Sequence, residues 1–205
     1  MIDAAWERPI RSRYSDPLEL VWMATCRRLG LTIRRNPAVF SMTDGAGLLE
    51  LGPRDALDPD DTAAQQIFHE ICHWITNGEE AFHHRDWGLP LTDEYDEREL
   101  ACLRVQASIA GRYGVRQMFG PTGVFRQYYD RIPDDPLVPF EDPREAGVCR
   151  LAEVGIERSK GAPWAGPLHD AFTATVQIRE VVRPFLTDYQ TDVPDDPLPS
   201  LWSVR

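Results

Sequence analysis

The sequence predicts an α+β fold: a small antiparallel sheet packed on two long helices, followed by a helical C-terminal extension. Three observations predict it. Short β-prone runs crowd into residues 31–52 between strong breakers, segments with helical spacing of apolar residues fill most of the remaining chain, and a content of 42% hydrophobic and 27% charged residues is that of an ordinary globular protein.

The first segment, "SDPLELVWMATCRRLG", opens with a Ser/Asp cap and a proline, places Leu18, Leu20, Val21, Met23, Ala24 and Cys26 at apolar positions, and stops at Gly30. It reads as a helix. "LTIRR", "AVFSM" and "GLLELG" are the β-prone runs, with Asn36-Pro37 breaking the chain after the first and the turn signal "TDGAG" lying between the last two. A second helix follows in "DPDDTAAQQIFHEICHWITNG", where Thr62 and Gln65 have the spacing of a capping box and Asn77-Gly78 is the stop. Beyond the polar loop "EEAFHHRDWGLPLT", a third helix runs through "DEYDERELACLRVQASIAGRYG" to about Gly114. A shorter helix is expected around "TGVFRQYYDR", and two more in "DPREAGVCRLAEVGIERSKG" and "PLHDAFTATVQIREVVRPFL". The two copies of "PDDPL" are acidic proline turns and not a repeat architecture.

A chain of 205 residues fits a single domain, divided here into a core at 17–112, a helical extension at 113–187 and a Pro-rich tail at 188–205. A formal net charge of −11 without a Lys/Arg stripe argues against nucleic acid as a partner. The N-terminus has no apolar signal region and no window is long and apolar enough for a membrane span, so a cytoplasmic protein is expected. Cys26, Cys72, Cys102 and Cys149 are widely spaced and form no CxxC pair, which makes free core thiols the expectation and excludes a zinc ribbon.

The chemistry lies in "IFHEICHWITNG". On a helix His69 and His73 stand about 40° apart and one turn along, so both imidazoles can share one ion. Glu70 lies beside them, about 100° round, where a carboxylate reaches a metal-bound water rather than the metal. Ala64, Phe68, Ile71 and Ile75 form an apolar face opposite, while Thr62, Gln66, Cys72 and Thr76 flank the histidines with uncharged polar groups suited to a cleft. The metzincin extension is excluded, because its glycine and third histidine positions hold Thr76 and Glu79. His83, His84 and Asp86 in the following loop are within chain reach of a metal, and solvent exposure is their expected state.

A metal needs at least a third protein ligand. On the third helix Glu97, Arg104 and Ser108 share one face, read as wet, whereas Glu99 falls among Cys102, Leu103, Gln106 and Ala110 on the buried side. A buried carboxylate is costly unless a cation or strong donors compensate it, and a divalent ion is sufficient compensation. Gln106, two turns along the same face, is placed to orient a ligand. Cys72 and Cys102 each follow a proposed ligand by three residues and would meet if both helices face one metal.

"HEICH" on one helix with Glu99 from the next long helix resembles the gluzincin arrangement. The span from "GLLELG" through "DDTAAQQIFHEICH" to "ERELA" is similar to the compact ImmA/IrrE-type metallopeptidase core. That resemblance implies a zincin-like fold, a zinc ion held by His69, His73 and Glu99, and hydrolysis of a peptide or amide bond in a peptide or protein substrate with Glu70 as general base. The loop, with His69, Glu70, His73, Trp74, Gly78, Asp86, Trp87 and Gly88, resembles the elongation factor P hydroxylase family, which implies instead a two-His-one-carboxylate iron site oxidising a protein side chain. A non-catalytic metal-binding or interaction protein is the third expectation. Hydrolysis further asks for an oxyanion donor, for which Tyr128, Tyr129, His169 and Arg126 are the candidates; no spacing selects among them.

Overall fold

The computed structural model describes residues 15–54, 61–89, 96–121 and 123–186. The Pro-rich tail and the second "PDDPL" lie outside the described residues. Among the described residues the architecture is α+β, with six α-helices and a three-stranded mixed sheet.

Helix α1 (Pro17–Arg28) starts as its sequence requires: Asp16 accepts from Leu18 N at 2.9 Å and Glu19 N at 3.2 Å, with Pro17 in the first turn. Strand β1 (Thr32–Arg35) leads over Asn36-Pro37 to β2 (Ser41–Thr43), and a hairpin returns the chain as β3 (Leu48–Leu51). Asp44 closes that hairpin by accepting from Ala46 N and Leu48 N at 2.7 and 2.9 Å.

The sheet is mixed, not antiparallel throughout. Its order is β1-β3-β2, with β2 antiparallel to β3 (Ser41 opposite Leu51) and β1 parallel to β3 (Thr32 opposite Leu48). Residues 36–40 carry the chain past the position β3 will take, so the hairpin folds β3 back into the middle. The pairing puts Ser41 and Thr43 of β2 on the same face as Leu49 and Leu51.

Helix α2 (Ala63–Asn77) begins where Thr62 accepts from Gln65 N at 3.1 Å. The reciprocal half of the expected capping box is not made, because the Gln65 carboxamide donates instead to Gly120 O at 3.2 Å. At the other end Gly78 has φ 96°, and Arg158 of α5 (Glu145–Arg158) donates to the carbonyls of Ile75 and Thr76 at 3.2 and 2.6 Å. A cation thus meets the negative end of the helix dipole. Helix α3 (Glu97–Arg112) is capped by Asp96, which accepts from Arg98 N at 2.8 Å.

Helix α2 is central. Every residue from Ala63 to Thr76 except His69 is buried, including Gln66, Cys72 and Thr76, which the sequence placed along a cleft. Trp22 of α1, Phe68 of α2, Phe119 and Phe172 of α6 (Ala165–Leu186) form one aromatic cluster with centroids 4.9–5.3 Å apart, and the Trp22 indole donates to Thr175 at 3.1 Å. The C-terminal helices therefore complete the core around α2. The shorter α4 (Arg126–Arg131) contributes the buried Tyr129.

Arg104 is the clearest departure from the helical wheel. Expected on the wet face of α3, it is fully buried and forms an ion pair with Glu145 of α5 at 2.5 Å, while also donating to Tyr128 Oη and to the carbonyls of Pro136 and Val138. Packing of α5 covers that side of α3. Among the described residues no helix is long and apolar enough to cross a membrane.

Candidate metal centre

Spacing by four on α2 brings the His69 and His73 rings to 4.5 Å between centroids at 78°, with the two Nε2 atoms 3.0 Å apart. From α3, the Glu99 carboxylate faces both: Oε1 is 3.6 Å from His69 Nε2, and Oε2 is 3.4 Å from His73 Nε2. Ligand atoms placed tetrahedrally about 2.0–2.1 Å from a zinc ion stand about 3.3 Å from one another, so the two imidazole nitrogens have the spacing of ligands to one ion, with a different Glu99 oxygen 3.4–3.6 Å from each.

The donor chemistry fits a cation as well. The Gln106 carboxamide donates through Nε2 to Phe119 O, which turns its Oε1 toward His69 Nδ1 at 2.9 Å. An oxygen acceptor there keeps the proton on Nδ1 and leaves the Nε2 lone pair of a neutral ring free for a ligand role. Burial, followed by the neighbouring His69, pushes the His73 imidazolium down to about 3, so that ring is neutral at ordinary pH. Burial likewise raises the Glu99 carboxyl above its usual range, against the pull of His69. Glu99 Oε1 and His73 Nδ1 are buried without a hydrogen-bond partner among the described residues. Two basic nitrogens and an undercompensated carboxylate converge on one point.

Cys102 lies at the same place. His69, His73 and Cys102 form a group whose ligand atoms all lie within 4.8 Å of one another and can hold a metal ion. The thiol approaches His69 O at 3.7 Å, and burial, then Cys72, Glu99 and Glu70, push its ionisation well above the ordinary value. Cys72 is raised by burial and then by Glu70. Both thiols are free and buried.

Glu70 is held from a direction that sequence reading missed. Its Oε2 accepts from the indole Nε1 of the buried Trp87 at 2.9 Å. Trp87 reaches it because Asp86 and Trp87 both adopt left-handed backbone, φ 50° and 55°, a costly conformation for residues other than glycine. The segment is fixed on each side: Thr43 N donates to Asp86 at 3.2 Å, Asn77 to Trp87 O at 3.2 Å, Arg98 to Gly88 O at 2.9 Å, and Trp74 stacks on Trp87 at 8° and 5.7 Å. The "RDWG" string was the only signal in the sequence.

Other expected residues have their partners elsewhere. Tyr128 bridges Arg104 and Glu145, Tyr129 donates to Arg116 O, Arg126 pairs with Asp130, and the exposed His169 meets the hydroxyl of Tyr113 at 3.1 Å. His83 and His84 are exposed, and Asp86 caps Thr43. No protein-family model matches the chain, and neither a curated protein nor a solved structure matches it.

Proposed function

We propose that this chain is a metal-dependent hydrolase of zincin-like build that cleaves a peptide or amide bond. His69, His73 and Glu99 hold the ion, zinc before iron, and Glu70 acts as general base. The observation that carries this reading is the mutual spacing of the three ligand side chains at 3.0–3.6 Å. Glu99 is preferred to Cys102 as third ligand because its carboxylate faces both imidazoles, one oxygen toward each.

When bound, the ion would supply Lewis acidity, lowering the pKa of water and polarising a carbonyl oxygen. Glu70, as general base, would hold a proton on its carboxylate and deliver it to the leaving amine. Trp87 fixes which way the carboxylate points, and orientation of this kind is a large part of what a base contributes. Gln106 holds the His69 ring in the ligating tautomer.

One observation favours a second reading, a non-haem iron hydroxylase of a protein or peptide side chain. The Trp87 bond gives Glu70 a structural task of its own, and two histidines with one carboxylate are also an iron triad. Glu70→Gln separates the readings, because the carboxamide still accepts from Trp87 but takes no proton. Metal content by mass spectrometry should stay at wild-type level in this variant. Hydrolysis of a peptide library should fall at least about 100-fold; oxygen consumption by the iron-loaded variant at the wild-type rate would decide for the hydroxylase instead.

A further inference from the structure

Cys102 stands at the metal centre as a free thiol. Its sulfur and the ligand atoms of His69 and His73 all lie within 4.8 Å of one another. Its only hydrogen-bond partner among the described residues is the carbonyl of His69 at 3.7 Å, a weak contact for a weak donor. Position on α3 accounts for the approach: Cys102 follows Glu99 by three residues, so both side chains leave the same face of the helix, one turn apart.

The distances leave little to close. Nitrogen and sulfur ligands at about 2.0–2.1 and 2.3 Å from one zinc ion stand about 3.6 Å apart, so a shift of about 1 Å brings the sulfur into ligand position. The donor count leaves room for it as well. His69, His73 and Glu99 are three donors, and zinc takes a fourth. A catalytic centre keeps that position for water, whereas a structural one fills it from the protein, and a thiolate is the softer and more zinc-selective of the two occupants.

We propose that Cys102 is an internal cap on the metal centre: its sulfur takes the fourth position at rest and leaves when water or another exogenous ligand enters. When the cap closes, the S–H bond breaks, a sulfur–metal bond forms and the proton goes to solvent. Opening reverses each step, and no atom changes oxidation state. The inference rests on the metal centre described above and adds its regulation, a site closed by the chain's own sulfur until a ligand competes for the ion.

The test uses full-length metal-free protein, Co(II) as a spectroscopic stand-in for zinc, and azide as the entering ligand. Wild type loaded with Co(II) should show a sulfur-to-cobalt charge-transfer band in the near ultraviolet, and saturating azide should remove it. Cys72→Ser should keep the band, while Cys102→Ser should bind Co(II) without it and take azide at least about tenfold more tightly, since no sulfur then competes. Wild type that binds Co(II) with no sulfur band overturns the role of Cys102 and leaves the centre standing. So does a band lost in Cys72→Ser and kept in Cys102→Ser. A band that persists with azide bound makes the sulfur a fixed ligand and overturns the cap; this reading needs wild type alone, so it holds even if Cys102→Ser does not fold. Wild type that binds no Co(II) overturns the centre itself and this inference with it.

Discussion

Trp87 donates its indole N–H to Glu70 across 2.9 Å, joining a strained loop to the residue that follows the first histidine of the motif. The bond is buried at both ends and its acceptor is a carboxylate, the class of hydrogen bond whose loss costs about 1.5–3 kcal/mol. Trp87→Phe keeps most of the stacking on Trp74 and removes only the donor. Urea unfolding should show a loss in that range, while metal stoichiometry remains that of wild type. A stability unchanged within error would mean that Glu70 finds another donor when the indole is gone.

Gln106 acts on His69 alone among the proposed ligands, through a single acceptor oxygen whose direction is set by Phe119 O. Gln106→Leu should therefore weaken Zn(II) binding about 10–100-fold without abolishing it, the usual effect of removing a partner that orients a ligating histidine. Competition against a chelator of known affinity measures this directly. Equal affinity in variant and wild type would show that packing, not the carboxamide, sets the tautomer.

Glu97 and Glu99 provide a matched pair on one turn of α3. The Glu99 side chain is 17% exposed and faces both imidazoles; Glu97 lies against Gly147 of α5. Glu99→Gln should lose tight metal binding, whereas Glu97→Gln should retain it. Inductively coupled plasma mass spectrometry on protein purified without chelators reads both. Equal metal in all three proteins would remove Glu99 from the ligand set and leave Cys102 as the third donor.

How far these positions were legible in the sequence depends on whether the deciding contact is local. Caps at Asp16 and Thr62 and stops at Gly30 and Gly78 are set by neighbours within four residues, and the structure has them where the pattern puts them. Periodicity alone also places Glu99 on the covered side of α3. Strand order is different: whether β3 returns beside β2 alone or inserts between β2 and β1 depends on the path of residues 36–40, which alternation does not encode. The Trp87 contact requires two successive left-handed residues that are not glycine, and no propensity predicts that. Gln66 reads as a polar wall in sequence, whereas in the fold it is buried with both ends of its carboxamide unpartnered among the described residues.

Arg104 shows the same limit at the largest energetic scale, and its test is the most demanding one. A wheel drawn on α3 assumes a single wet face, yet α5 arrives from 41 residues away and delivers Glu145 to that face. Both side chains are essentially inaccessible, at 0% and 2%, and the guanidinium also satisfies Tyr128 and two loop carbonyls, so it ties residues 136–138 to the helix pair. Removing one member leaves the other charged and buried, which typically costs 3–5 kcal/mol, whereas replacing both by apolar groups of similar volume costs far less. Arg104→Met and Glu145→Met should each lose about that amount in urea unfolding, and the double variant should be more stable than either. If the two losses instead add, the pair is not coupled, and the loop carbonyls and Tyr128 rather than Glu145 are what Arg104 stabilises.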